Sequence, residues 1–162
     1  MTNIQFHLAV ATMGNTKPRV FAAGGFSPSK SCVLDNMEYY VSADKIWKSI
    51  KLTMCAPRMN PSIVVNGDKV YVIGGRDAEQ SHLTFDIFDR TSQKWLKNKP
   101  LLNQNKDNSF SFLYEGKIFC VGGSDKANIE MLKEENKTMS WQAVGALKHA
   151  FVSFQCVVYE PL

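Results

Sequence analysis

The stretch that decides the fold is K-V-Y-V-I-G-G at residues 69–75, a short apolar run that ends at a glycine pair. The run is rich in β-branched and aromatic residues, and the turn sequence N-G-D precedes it. Because it is too short for a helix and has glycine at both ends, it predicts a buried β-strand. The same pattern occurs three times, since R-V-F-A-A-G-G at residues 19–25 and K-I-F-C-V-G-G at residues 117–123 repeat it.

A second marker shares the spacing of the glycine pairs. The glycine pairs begin at positions 24, 74 and 122. One tryptophan follows each pair, and successive tryptophans are 48 and 46 residues apart. An aromatic on an alternating segment precedes the first two tryptophans by seven residues. Leu132 precedes the third by nine, which predicts a turn two residues longer there. The repeat markers are Gly24, Gly25, Tyr40, Trp47, Gly74, Gly75, Phe88, Trp95, Gly122, Gly123 and Trp141.

A period near 50 residues is typical of propeller blades rather than of helical solenoids. Each unit has room for four antiparallel strands, joined by short turns of the kind that close hairpins. The sequence therefore predicts one all-β domain, a partial propeller of three four-stranded antiparallel blades plus one extra strand. The blades are expected at about residues 4–50, 60–98 and 108–144, and the extra strand at about 153–158.

The tryptophans and the third-strand aromatics are expected to fill the seams between blades. The glycine pairs are expected where backbones pack too closely for a side chain, or where φ is positive.

The residues and their spacing resemble the kelch repeat over nearly the whole chain. That family carries a glycine pair at the end of the second strand, an aromatic on the third and a tryptophan on the fourth. It often adds a Pro-x-Arg-type stretch, which A-P-R-M-N-P-S at residues 56–62 matches. Lys106 takes the place of the arginine in the second unit, and L-K-H at residues 147–149 lies at the corresponding place in the third. The resemblance implies a kelch-type β-propeller, similar to the kelch domain of BTB-kelch adaptor proteins but without the BTB and BACK parts.

Three blades and one strand do not close a ring, because propellers typically have about 4–8 blades. A lone arc would expose the apolar faces of its first and last blades. Three explanations are open: two chains pair head to tail, another chain supplies the missing blades, or the chain is a fragment of a longer gene product. Association is predicted over a lone arc.

The resemblance implies a module for protein–protein interaction, with a substrate-recognition or scaffold component resembling ubiquitin-ligase adaptors as one form. The alternatives are a propeller enzyme acting on a small molecule such as a sugar acid, and a structural subunit of a larger assembly. Loops on a rigid scaffold commonly carry function, and in kelch proteins these edges bind partners. The candidate partner-binding residues are Arg58, Arg76, His82, Lys106 and His149.

Composition and motifs argue against several other functions. The net charge of +4 comes from scattered Lys and Arg rather than a basic stripe, so no nucleic acid partner is expected. No apolar run approaches the roughly 20 residues that span a bilayer, so no membrane partner is expected. The three histidines and four cysteines show no metal-ligand spacing, and no catalytic or cofactor motif is present. Cysteines without close pairs favour a reducing, cytoplasmic location.

Overall fold

The computed structural model describes residues 7–13, 19–96, 101–123, 128–136 and 138–149, and the regular elements in these ranges are all β-strands. The predicted extra strand at residues 153–158 lies outside the described residues. The strands are β1 Ala9–Met13, β2 Arg19–Ala23, β3 Phe26–Ser27, β4 Cys32–Val33, β5 Met37–Val41, β6 Ile46–Ser49, β7 Ser62–Asn66, β8 Lys69–Ile73, β9 Phe85–Asp89, β10 Lys94–Trp95, β11 Ser109–Tyr114, β12 Lys117–Gly122, β13 Asn128–Glu135 and β14 Thr138–Ala146.

Twelve of these strands form three four-stranded antiparallel sheets, which we call blades 1, 2 and 3 in chain order. Blade 1 has the order β1-β2-β5-β6, blade 2 the order β7-β8-β9-β10 and blade 3 the order β11-β12-β13-β14. The remaining strands, β3 and β4, pair with each other in the loop between β2 and β5. The structure therefore confirms the all-β fold of antiparallel, kelch-type blades that the repeat predicts.

Local turn chemistry closes the hairpins of the blades. Tyr114 pairs with Lys117, so only Glu115 and Gly116 form the turn between β11 and β12. Their φ angles are 47° and 72°. Two central residues with positive φ match the right-handed twist of the flanking strands, which is why such turns join antiparallel strands tightly.

Blade 2 is covered on both faces, and side-chain alternation divides its residues between two cores. On β8, Val70 and Val72 pack towards blade 1, whereas Tyr71 and Ile73 pack towards blade 3. The core between blades 1 and 2 consists of Ala9, Phe21, Ala23, Met37, Met54, Ile63, Val70, Val72 and Phe88. The core between blades 2 and 3 consists of Val64, Tyr71, Ile73, Phe85, Ile87, Leu102, Ile118, Cys120, Leu132 and Trp141.

The tryptophans lie directly opposite the third-strand markers in all three blades. The opposed pairs are Tyr40–Trp47, Phe88–Trp95 and Leu132–Trp141. The last pair keeps the predicted opposition, but the prediction of a turn two residues longer is wrong, because pairing continues to Glu135 and Thr138 and the extra residues lengthen β13 and β14 instead. Trp141 packs edge-on against Phe85 of blade 2, with ring centroids 5.5 Å apart. Trp95 packs against the core shared with blade 1, and its indole N–H donates to the Leu52 carbonyl at 3.0 Å. These two indoles lie at seams as predicted, whereas Trp47 faces away from blade 2.

The glycine pairs mark the points where one blade meets the connector of the next. Gly24 and Gly74 have φ angles of 66° and 64°, which side chains disfavour. A Cβ on Gly24 would overlap the Arg58 carbonyl oxygen, and one on Gly74 would overlap the Lys106 carbonyl oxygen. Both reasons predicted for the glycine pairs, close packing and positive φ, are therefore confirmed.

Candidate functional site

Antiparallel strands place the connecting segments of each blade on two opposite edges. The longer segments, residues 24–36, 74–84 and the interblade connectors 50–61 and 101–108, lie on one edge, which we call the loop face. The short turns at residues 42–45, 67–68, 90–93 and 115–116 lie on the other edge, which we call the turn face. Four of the predicted partner-binding residues belong to these loop-face segments, and His149 follows β14, which ends at the same edge.

Arg58 lies in the first connector, but its side chain is fully buried in blade 2. Its Nη1 donates to the carbonyls of Gly74 at 2.6 Å and Thr84 at 3.0 Å. Its Nε donates to the Asp86 carboxylate at 3.0 Å, and Nη2 lies 2.9 Å from the same carboxylate oxygen. The Arg58 carbonyl accepts the N–H of Gly25 in blade 1 at 2.7 Å. Arg58 therefore fastens blade 1 to blade 2 through charge-assisted hydrogen bonds.

Lys106 holds the same position in the second connector and is also fully buried. Its Nζ donates to the carbonyls of Gly122 at 3.0 Å and Asn128 at 3.2 Å, and lies 3.4 Å from the Glu130 carboxylate. The Lys106 carbonyl accepts the N–H of Gly75 in blade 2 at 2.9 Å. Lys106 therefore fastens blade 2 to blade 3.

The expectation that Arg58 and Lys106 present their side chains to a partner is corrected by this burial. Each cation is held by a carboxylate on the third strand of the next blade, Asp86 or Glu130, which the sequence prediction did not single out. A signal for the two acids was present, because each precedes the aromatic or leucine marker of its strand by two residues. Buried charges occur in proteins when they are paired, and these two pairs act within the scaffold.

Of the three predicted partner-binding residues Arg58, Arg76 and Lys106, Arg76 is the one whose side chain is not fully buried. Its backbone N–H donates to the Met59 carbonyl at 2.9 Å, and the Met59 N–H donates back at 2.8 Å, which fixes the residue against the first connector. The half-buried guanidinium donates through Nε to the Asp77 carbonyl at 3.4 Å. Within the described ranges Nη1 and Nη2 make no hydrogen bond, so their four N–H donors can meet an anionic group of a partner.

His82 supports the same loop by packing against the first connector rather than facing solvent. The side chain is 9% exposed. Its Nε2 lies 3.2 Å from the Pro57 carbonyl and 3.5 Å from the Asp77 carboxylate. Because a carbonyl only accepts, Nε2 carries the proton in this contact. The backbone N–H groups of Gln80 and Glu79 hold the pKa of Asp77 below its usual value. The loop that carries Arg76 is therefore tied to the connector at both ends.

His149 is exposed beyond the end of β14, on the blade 3 side of the loop face. The structure thus brings Arg76 and His82 together in one loop, places Arg58 and Lys106 in the two seams, and places His149 after the last strand of blade 3. The described ranges contain no cluster of three or more His, Cys, Asp or Glu side chains arranged for a metal ion. Among those residues there is also no helix with the length and hydropathy of a membrane span.

Comparison with known proteins agrees with the repeat. The kelch-motif family profile matches residues 57–97, which contain blade 2 and the end of the first connector. An F-box/kelch-repeat protein of Arabidopsis thaliana is 29% identical over 115 residues, covering 60% of this chain and 33% of that protein. A second F-box/kelch-repeat protein of the same plant is 31% identical over 85 residues, covering 51% of this chain and 23% of that protein.

The chain therefore spans a third or less of the length of these two relatives. Their names pair the repeats with an F-box, whereas the resemblance in the sequence pointed to adaptors with a BTB part.

Proposed function

Since the chain belongs to the kelch-repeat family, we propose that it is a protein-interaction module that holds its partner on the loop face. The observation that carries this proposal is the position of Arg76. The two-way backbone contact with Met59 fixes its main chain, while its terminal N–H groups point to no acceptor in the described part of the chain. Because the main chain is already held, binding requires no ordering of the loop at Arg76, and the planar guanidinium suits a carboxylate on the partner.

The finer proposal is that the module recognises substrates, or acts as a scaffold, in the manner of a ubiquitin-ligase adaptor in the cytoplasm. The F-box/kelch-repeat names of the two plant relatives support this form of the proposal. The partner is a protein with an acidic residue in an exposed segment. The recruitment of a ligase would depend on segments other than the three blades.

We also propose that further blades, from a second copy or from another chain, cover the outer faces of blades 1 and 3. On blade 3, Phe112 stacks with Phe110 and Phe119 at centroid distances of 6.1 and 5.4 Å, on the face turned away from blade 2. On blade 1, Tyr40 and Trp47 form a similar half-buried pair. Apolar faces of this kind support association. A mass in solution equal to one chain at every concentration would contradict pairing of two copies.

The loop-face proposal is tested by selecting binders from a displayed random-peptide library with the full 162-residue chain. We expect the selected peptides to share an acidic residue and to bind Arg76→Ala about tenfold more weakly, the order expected for one charge-assisted hydrogen-bonding group. Titration calorimetry measures the two affinities. Arg76→Gln serves as a second variant that keeps a long polar side chain.

The matched control is Lys48→Ala, which removes an exposed cation paired with Asp44 beside a turn on the other face. It should leave peptide affinity unchanged. Peptides that bind the Arg76 variants as tightly as the native chain, or that lose affinity equally with Lys48→Ala, would refute binding through Arg76.

A further inference from the structure

A pocket opens on the turn face, at the seam between blades 2 and 3. Its volume is about 400 Å³. The turn of β7 and β8, the turn of β11 and β12, and the end of β13 surround it. Its walls combine apolar and polar side chains, among them Tyr71, Lys117, Ile118, Leu132 and Glu134. It lies opposite the loop face and is independent of the partner site proposed there.

Tyr71 forms the inner wall of the pocket with its phenol group. The residue is 3% exposed and packs within the core shared with Ile118 and Leu132. Its hydroxyl group makes no hydrogen bond to any described residue, although it lines the pocket. Burial, and secondly the charge of Glu134, raise the pKa of Tyr71 to about 12, so the phenol stays neutral at physiological pH. The hydroxyl faces the pocket, where a bound ligand can donate to it or accept from it.

The charged side chains around the pocket differ in whether an opposite charge lies beside them and in which face of blade 3 they occupy. The Lys133 ammonium lies 2.9 Å from the Glu135 carboxylate, so these two rim charges offset each other. Glu134 lies two residues after Leu132 on β13, so strand alternation turns it to the same face of blade 3 as Leu132, towards Tyr71. Lys117 lies next to Ile118 on β12, and the same alternation turns it to the face away from blade 2. Of the four rim charges, which sum to zero, Glu134 is therefore the one on the Tyr71 side of blade 3.

We propose that this pocket binds a ligand with a short aliphatic stem and a cationic head, an ammonium or a guanidinium group. The stem packs on Ile118 and Leu132, where its burial is favourable. The head donates to the Tyr71 hydroxyl oxygen and to the Glu134 carboxylate. A free amine and a lysine or arginine side chain of a peptide share this chemistry.

The test uses n-butylammonium as the probe and butyrate as its anionic counterpart of similar size. The full chain is titrated with each compound while the NMR signals of the Tyr71 ring are followed, with Tyr71→Phe identifying those signals. We expect n-butylammonium to shift them with a Kd of about 1 mM, the order for so small a ligand. Butyrate should cause no saturable shift. Equal or tighter binding of butyrate would overturn the proposal.

Two variants probe the head of the site. Tyr71→Phe keeps the ring in the core, and Glu134→Gln changes an exposed side chain, so both leave the packing in place. Each should weaken n-butylammonium binding about two- to fivefold, the order for one hydrogen bond or one exposed ion pair. Glu79→Gln on the loop face is the control and should bind with native affinity. Native affinity in both test variants would overturn the proposal.

A capped Gly-Lys-Gly peptide distinguishes the two sources of the ligand. Tighter binding of this peptide than of n-butylammonium assigns the pocket to a basic side chain of a polypeptide. Tighter binding of the free amine assigns it to a small molecule. Failure of both to shift the Tyr71 ring signals would overturn the proposal.

Discussion

The two interblade connectors are attached to the following blade in the same way but by different side chains. Each connector places a cation at the same repeat position. The side chain of this cation extends into the next blade and contacts a carboxylate on the third strand of that blade. Arg58 makes hydrogen bonds through all three of its guanidinium nitrogens, including 2.7 Å to the Thr84 hydroxyl. Lys106 makes two hydrogen bonds, and its ammonium lies 3.4 Å from Glu130. The seam between blades 1 and 2 is therefore fastened by more contacts from one side chain.

The acids differ as well as the cations. Glu130 also accepts the backbone N–H of Asn103 at 3.0 Å and its side-chain N–H at 2.8 Å. The corresponding contact of Asp86, from the Cys55 N–H, is longer at 3.4 Å. The planar guanidinium suits a carboxylate and neighbouring carbonyls at once, whereas an ammonium is a compact charge on a flexible stem. In the second seam, Asn103 therefore supplies hydrogen bonds to the buried carboxylate of the kind that Arg58 supplies in the first seam.

The largest effect is expected from Arg58→Met. The change keeps an apolar stem but leaves the Asp86 carboxylate buried without its guanidinium, which should lower the free energy of unfolding by about 3–5 kcal/mol. Urea denaturation followed by tryptophan fluorescence measures it. The double variant Arg58→Met/Asp86→Leu should recover part of the loss, because it removes both buried charges. A cost below that of Lys106→Met would reverse the proposed difference between the seams.

A smaller effect is expected from Lys106→Met. Glu130 keeps both hydrogen bonds from Asn103, so the loss should be about 2 kcal/mol. The same denaturation measurement applies. Asn103→Ala, combined with Lys106→Met, should cost more than the sum of the two single changes, since both support one carboxylate. Simple additivity would show that Asn103 does not compensate for the weaker cation.

The smallest effect is expected from Trp47→Ala. This indole packs on Tyr40 at a centroid distance of 5.5 Å, but it lies outside both seams and is half-buried. Its removal from a single chain should cost about 1–2 kcal/mol, less than a fully buried aromatic. Trp141→Ala, in the second seam, is the matched comparison and should cost more. Costs that become equal at high protein concentration would indicate that another chain covers Trp47.

Local patterns in the sequence were sufficient to predict the twelve strands of the three blades and their order. A glycine pair, a two-residue turn and an alternating apolar segment each determine the backbone over a few residues. They therefore predict local structure without knowledge of distant contacts. The opposition of Leu132 and Trp141 was predicted from the repeat, although these residues are nine apart rather than seven. The seam positions of Trp95 and Trp141 followed from the same repeat.

The environments of the charged residues could not be predicted in this way. Arg58 is paired with a carboxylate 28 residues away, and nothing in its own segment shows that it is buried while the loop cation Arg76 is only half-buried. His82 is held by Pro57, 25 residues away. The pocket at Tyr71 depends on the packing of two blades. Which residues contact each other over such separations depends on the folded chain and cannot be predicted from a short segment of sequence.

By itself, the sequence determined a repeated four-stranded unit, because backbone conformation at glycines, turns and β-branched runs is governed by local sterics. Only the tertiary structure decided which cations became internal fasteners and which remained available to a partner. The physical reason is that burying a charge is favourable only where the fold provides its counter-charge and acceptors, and these come from another blade.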